Sequence, residues 1–257
     1  MALFESSNPT LSEKIFRKSI AQSDDGSVMT VRGSIQKFGF LMVLVLAGAA
    51  YTWKLYYSFK VPTMMGFMLF GLIGGMICAL TTTFKPNWAR YLSPAYAVLE
   101  GFLLCGLSAF INDQMKVKYP NIIMEAVLLT FGVAFAVFLL YNARIIRATE
   151  KFKAVILSSI VGIMIFYVID MLLGFFGIHI PFMQWGNNSL IGIGINLFVV
   201  VIAALSLVLN FDQIETGEKM GAPKYMEWYG AFGLLVTIVW LYLEILQLLS
   251  RFSNNRS

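Results

Sequence analysis

Residues 226–249 read MEWYGAFGLLVTIVWLYLEILQLL, a run of 24 residues in which only Glu227 and Glu244 carry charge. About 20 apolar residues are enough for a helix to cross a bilayer, so this run predicts a membrane-spanning helix. An acid inside hydrocarbon costs several kcal/mol unless it meets a partner or water, and it therefore often marks an ion path or a proton site.

Six further runs meet the same length criterion, and the chain is 58% hydrophobic and only 13% charged. Soluble domains are about 25% charged, so the composition predicts an all-α integral membrane protein. The predicted helices are 38–58, 62–83, 93–112, 122–143, 153–176, 189–211 and 226–249. Residues 37–250 then form the transmembrane domain and 251–257 a short tail. Residues 1–36 form a polar segment with a short surface helix from Glu13 to Ile20, after Ser12 as its cap.

Proline and polar residues mark the predicted breaks between helices. Pro62 and Pro94 fit helix starts, Lys85-Pro86-Asn87 fits the end of the second helix, and Asn112-Asp113 fits the start of a polar loop.

Small residues at a spacing of four predict close helix packing in membranes. Such steps join Gly71 to Gly75, Gly101 to Cys105, and Gly192 to Asn196.

The distribution of basic residues predicts the orientation, because cytoplasmic loops carry an excess of Lys and Arg. With the N-terminus inside, the cytoplasmic set has 13 members: Lys14, Arg17, Lys18, Arg32, Lys37, Lys85, Arg90, Arg144, Arg147, Lys151, Lys153, Lys219 and Lys224. The outer set has 5: Lys60, Lys116, Lys118, Arg251 and Arg256. The count favours a cytoplasmic N-terminus and an outer C-terminus.

Several functional classes find no support in the sequence. His179 is the only histidine, and Cys78 and Cys105 lie in apolar runs, so no metal site or disulfide is assigned and no cofactor is expected. The net charge of +5 is spread over loops beside helices, so we expect no nucleic-acid partner and take the lipid bilayer as the surrounding partner. No GxSxG or HExxH motif occurs, so we do not expect an enzyme.

Acids within the predicted helices or at their ends fall into two layers. Glu100, Asp212 and Glu227 belong to the cytoplasmic half, whereas Glu125, Asp170 and Glu244 belong to the outer half together with Lys54. One interpretation is a cation path with a pH-dependent gate, since desolvation and neighbouring charges shift the pKa of a carboxyl group from about 4. The other is structural: Lys54 neutralises an outer acid, Asp170 and Glu244 lie near helix ends, and Asp212 merely ends the sixth helix at the water. Both remain open at this point.

Two motifs resemble bacterial Bax-inhibitor/YccA-type proteins. The first motif has three parts around the last two predicted helices: Leu209-Asn210-Phe211-Asp212-Gln213-Ile214-Glu215, Ala222-Pro223-Lys224-Tyr225-Met226-Glu227-Trp228, and Trp240-Leu241-Tyr242-Leu243-Glu244. The second motif is Ser93-Pro94-Ala95-Tyr96-Ala97-Val98-Leu99-Glu100-Gly101 in the third predicted helix. The resemblance implies a bundle of six helices around a central C-terminal helix. It also implies a pH-dependent calcium leak, gated near the cytoplasm by an aspartate on the sixth helix paired with one on the seventh.

Asp212 matches the first gate aspartate, but Thr237 occupies the position of the second. Threonine neither ionises nor repels an anion, so Glu100 or Glu227 would have to supply the second charge. The basic residue that the resemblance implies at the end of the second helix is displaced, with Lys85 and Arg90 nearest.

The function expected from these observations is a pH-sensitive cation leak or channel of the bacterial inner membrane, with calcium as the expected ion. Calcium takes six to eight oxygen ligands, so water would complete its shell. The alternative is a non-conducting membrane interaction protein that modulates a stress response or a membrane protease through residues 1–36.

Overall fold

Long helices account for most of the chain in the computed structural model, which describes residues 27–58, 61–115, 119–178, 180–181, 187 and 189–255. Within these ranges the helices are α1 (Val31–Tyr57), α2 (Val61–Phe84), α3 (Ala89–Met115), α4 (Ile122–Asn142), α5 (Glu150–Phe175), α6 (Leu190–Lys219) and α7 (Met226–Asn255). All seven are long and apolar enough to cross a membrane. The predicted class, number and order of helices are confirmed.

Three helix ends differ from the prediction because the helices continue through polar sequence. The α1 helix begins at Val31 rather than at 38, since the Thr30 side chain accepts a hydrogen bond from the Gly33 amide and caps it. The α6 and α7 helices run to Lys219 and Asn255 rather than to 211 and 249. The predicted domain borders at 37 and 251 therefore fall inside helices.

The start of α3 also differs. Pro94 lies inside this helix rather than at its beginning, because a 3₁₀ turn over Pro86–Trp88 starts the helical path earlier. At the other end, Asn112 and Asp113 belong to the helix, which continues to Met115.

The chain divides into two compact units. The first comprises Met1–Ile111 and Asn210–Val236, and the second Asn112–Leu209 and Thr237–Ser257. Burial is highest in α7, where 61% of the most apolar window is buried against 11% in α5.

Glycines bring α1 and α2 against α3 within the first unit. A Cβ atom at Gly48 would lie 2.6 Å from the Val98 carbonyl oxygen, and one at Gly101 would overlap the Val45 carbonyl. A Cβ atom at Gly71 would lie 2.5 Å from the carbonyl oxygen of Leu99. The close packing predicted at Gly71 and Gly101 is confirmed, since only glycine permits this approach of two backbones.

Some predicted features lie outside the described residues. These are the surface helix from Glu13 to Ile20, the basic residues Lys60, Lys116, Lys118 and Arg256, and His179.

Candidate functional site

Glu227, predicted as a gate residue, is a fully buried carboxylate surrounded by donors in the first unit. The backbone amide and the hydroxyl of Thr30 each donate to its Oε1 at 2.9 Å. Lys224 Nζ lies 2.8 Å from the same oxygen, and Lys37 pairs with Oε2. Two cations and two further donors stabilise the charged form in place, which favours a structural anchor over an acid that shares a proton.

Local sequence explains why this cluster forms. Thr30 caps α1 by accepting a hydrogen bond from the Gly33 amide, and the same hydroxyl donates to Glu227. Gly33 follows one turn later, and a Cβ atom there would overlap the Glu227 carboxylate. Lys224 precedes Glu227 by three residues, a spacing that lets the two side chains meet.

Residues 27–31, which we call the strap, run beside the turn between α6 and α7. The Met29 amide donates to the Ala222 carbonyl at 2.6 Å, and the Lys224 amide donates to the Ser27 carbonyl at 3.0 Å. The Val31 amide donates to Glu218 Oε1 at 3.0 Å. The start of α1 is therefore attached to the end of α6, to the turn and to the start of α7.

Asp212 lies inside α6, about two turns before Lys219, and is half-buried. The expectation that it ends this helix at the water is wrong, because the helix continues through the polar residues that follow. A Cβ atom at Gly230 of α7 would lie 2.8 Å from Ile214 Cγ1, and one at Gly233 would lie 3.2 Å from Asn210 Oδ1. The Asn210 and Ile214 side chains of α6 thus pack against the α7 backbone.

Glu100 of α3 is the third predicted gate residue, and its side chain is 6% exposed. Its carboxyl group interacts with the Tyr96 side chain, and a Cβ atom at Gly75 would lie 3.5 Å from its Oε2. The Tyr96 ring packs edge-on against Phe232 of α7, with centroids 5.2 Å apart. In the described part of the chain no Lys or Arg forms an ion pair with Glu100. Among the described residues, this unit therefore buries an acid that forms no ion pair with a basic residue.

The three predicted gate acids thus share one compact unit but differ in surroundings. Glu227 is neutralised, Glu100 is buried beside a tyrosine, and Asp212 is half-buried. Lys85 and Arg90, the nearest substitutes for the displaced basic residue, are exposed and lie 4.8 Å from the ring centroids of Trp88 and Tyr91.

Glu244 of the predicted outer layer is buried in the second unit by hydrogen bonds. The Tyr167 hydroxyl donates to it at 2.8 Å, Trp240 Nε1 at 3.1 Å and Asn196 Nδ2 at 2.8 Å. The expectation that Glu244 lies near a helix end is wrong, because α7 continues three turns beyond it to Asn255. These partners favour a packing role for Glu244.

The other members of the outer layer are less enclosed. Glu125 is half-buried and accepts a hydrogen bond from the Tyr119 hydroxyl. Asp170 is half-buried, and Lys54 is exposed in the last turn of α1.

Arg251 is a buried charge, whereas the count of basic residues predicts it among the outer loop charges. It lies in α7, is 2% exposed and donates to the Asn187 carbonyl at 3.1 Å. Its guanidinium also interacts electrostatically with Glu244 and Tyr167. A signal was present, since a separation of seven places Arg251 and Glu244 on one helix face.

Metal binding by side chains alone has little support in the described ranges. They contain no group of three or more His, Cys, Asp or Glu side chains that could hold a metal ion. Any cation at Glu100 or Asp212 would need backbone oxygens and water among its ligands.

Comparison with known proteins identifies the family. A family model described as Bax inhibitor 1 like matches residues 8–254. No curated protein and no solved structure matches the chain. The resemblance carried by the Asp212 and Glu100 motifs is confirmed for the Bax-inhibitor-like family.

Proposed function

Because the chain belongs to the Bax inhibitor 1 like family, we propose that it is a cation leak that passes calcium and responds to pH. The seven helices make it a multi-pass membrane protein. We place it in the bacterial inner membrane. Its N-terminus is assigned to the cytoplasm because Lys and Arg are in excess in the loops on that side. The proposal assigns the chain no enzymatic reaction and no cofactor.

The observation that carries the proposal is the burial of Glu100 without an ion pair to any Lys or Arg that the structure describes. A carboxylate in hydrocarbon is costly, so such a group is protonated, hydrated or bound to a cation. Each of these states suits an ion or proton path. Its neighbour Gly75 has no side chain, which leaves space beside the carboxyl oxygen.

Asp212 supplies the second acid of the proposal. It is half-buried in the same unit. The charge of Asp212 sets how strongly a passing cation is attracted. Glu227 serves in this proposal as an anchor, because its oxygens are already occupied.

Calcium fits the proposal as a transient occupant. Calcium takes six to eight oxygen ligands at high-affinity sites, and no cluster of three acids occurs among the described residues. Two separated acids with water would bind the ion weakly, as conduction requires.

The test is calcium flux into vesicles that contain the purified protein, measured between pH 6 and 8. We expect Glu100→Gln and Asp212→Asn each to lower the flux and to flatten its dependence on pH. Glu150→Gln is the matched control, because Glu150 is 86% exposed and pairs with Lys153 of its own helix. Flux that is unchanged in both acid variants would overturn the proposal.

A second candidate is a non-conducting membrane interaction protein that modulates a stress response or a membrane protease. It is favoured by Glu227 and Glu244, two buried acids whose partners give them packing roles. Deleting residues 2–26 separates the two functions. A leak keeps its flux after this deletion, whereas an interaction protein loses the capture of its partner.

A further inference from the structure

The strap pairs with the turn between α6 and α7 as a short antiparallel bridge, with Val28 opposite Pro223. Hydrogen bonds from the Met29 and Lys224 amides flank this pair on both sides, so Val28 and Pro223 form the non-hydrogen-bonded pair of the bridge. Proline fits this position because no donor is required of it.

Both ends of the turn are held by the same segment of chain. Before the turn, Glu218 of α6 accepts a hydrogen bond from the Val31 amide. After the turn, Glu227 of α7 accepts hydrogen bonds from the amide and hydroxyl of Thr30 and forms an ion pair with Lys37. The turn therefore cannot move away from α1 while these contacts hold.

The strap also lies close to Asp212 along the chain. Asp212 precedes Glu218 by six residues of continuous helix, a rise of about 9 Å. A rigid helix transmits a displacement of Glu218 to Asp212, so the attachment of the strap constrains the proposed gate.

The contacts of the strap are of a kind that can open. Val28 is 53% exposed, and Lys224 is half-exposed where it pairs with Glu227. The attachment consists mainly of hydrogen bonds and ion pairs, which water can replace, whereas the buried Met29 is its main apolar contribution.

We propose that the strap is an intramolecular lock, which holds the turn between α6 and α7 in the closed state and must release it for the leak to open. This inference rests on the proposed function for its effect on flux. The movement of the strap itself is independent of that function and can be measured separately.

The first experiment locks the strap with the pair Val28→Cys and Pro223→Cys, in a protein whose two native cysteines are replaced by alanine. Residues in a non-hydrogen-bonded pair have Cα atoms about 4.5 Å apart, within the range of about 4.4–6.8 Å that a disulfide spans. We expect the disulfide to form on oxidation and to lower calcium flux by about 5- to 150-fold, the usual range of coupling between two sites. A reductant should restore the flux, and each single cysteine variant should be insensitive to oxidation.

The second experiment releases the strap with Gly33→Ala. The added Cβ would overlap the Glu227 carboxylate, which cannot move without losing its contacts with Thr30 and Lys37. We expect faster hydrogen exchange at the amides of Met29 and Lys224, and higher flux. Gly39→Ala is the matched control, because a Cβ atom at Gly39 of the same helix meets nothing within 4 Å.

The two readouts separate the lock from the leak. If the disulfide fails to form, or if Gly33→Ala leaves exchange at both amides equal to that of Gly39→Ala, the lock is refuted whether or not the protein conducts. If locked and reduced proteins conduct equally, the strap does not govern the leak. Absence of flux in every form, including the original protein, would refute the proposed function, and with it the control of flux by the strap.

Discussion

Gly33 of α1 lies directly against the carboxylate of Glu227 at the start of α7, with no space for a Cβ atom between them. This contact lets the capping residue Thr30 reach the same carboxylate. The absence of one side chain thus allows a buried acid to accept the amide and hydroxyl of Thr30 together with the ammonium groups of Lys37 and Lys224.

Removing the charge of Glu227 should destabilise the protein. Glu227→Gln weakens the charge-assisted hydrogen bonds with Lys37 and Lys224, and because both lysines reach solvent we expect a loss of about 1.5–3 kcal/mol. The free energy of unfolding of the detergent-solubilised protein measures the effect. Glu150→Gln should cost less than about 1 kcal/mol, since that pair is at the surface. Equal losses in the two variants would contradict the anchor role.

A methyl group at Gly101 should force α1 away from α3. In Gly101→Ala the Cβ atom would overlap the Val45 backbone, which cannot swing aside as a side chain can, so we expect a loss of about 1–3 kcal/mol. Gly132→Ala provides the comparison, because its Cβ atom meets nothing within 4 Å and alanine favours the helix. Thermal unfolding of both variants checks this, and a Gly101→Ala protein as stable as the Gly132→Ala protein would show that the helices separate freely.

Loss of the Tyr167 hydroxyl should weaken the second unit. Tyr167→Phe removes a donor to the buried Glu244 carboxylate and should lower the free energy of unfolding by about 1–3 kcal/mol. Tyr57→Phe should have little effect, since that tyrosine is exposed and its ring contacts remain. The role assigned to Tyr167 would be wrong if the two tyrosine variants had the same free energy of unfolding.

Two N-terminal deletions of different length should show which residues hold the turn between α6 and α7. Deleting residues 2–26 keeps Ser27, whose carbonyl accepts the Lys224 amide, whereas deleting residues 2–30 also removes Met29 and Thr30. Only the longer deletion should speed hydrogen exchange at Lys224, and loss of the Thr30 cap alone should cost about 1 kcal/mol of stability. Identical exchange in the two truncated proteins would place the relevant contacts elsewhere.

The number and order of helices, together with two glycine contacts, could be predicted because they depend on local composition. The long apolar runs define the spans, and the spacing of Gly71 and Gly101 indicates close packing. The ends of the helices could be predicted less well, because the apolar run stops at Phe211 although the helix continues to Lys219. The cap at Thr30 could have been recognised, because threonine before a helix is a known start signal.

The partners of the buried acids could not be predicted in the same way. Glu227 binds Thr30 and Lys37, which lie some 190 positions away and meet it only through the fold. Glu244 similarly depends on Tyr167 and Asn196 from two other helices. Spacing within one helix therefore places an acid on a face, but the fold decides whether that face is neutralised.

Pairing of Thr30 with Glu227 joins residues 197 positions apart, which affects how the protein is made. The ribosome synthesises Thr30 well before Glu227, so α1 to α6 must all emerge before the two residues can meet. Until α7 follows, Lys37 lacks the carboxylate of Glu227. This contact therefore forms only after α7 has emerged, and chains that terminate before α7 would lack it and be open to quality-control proteolysis.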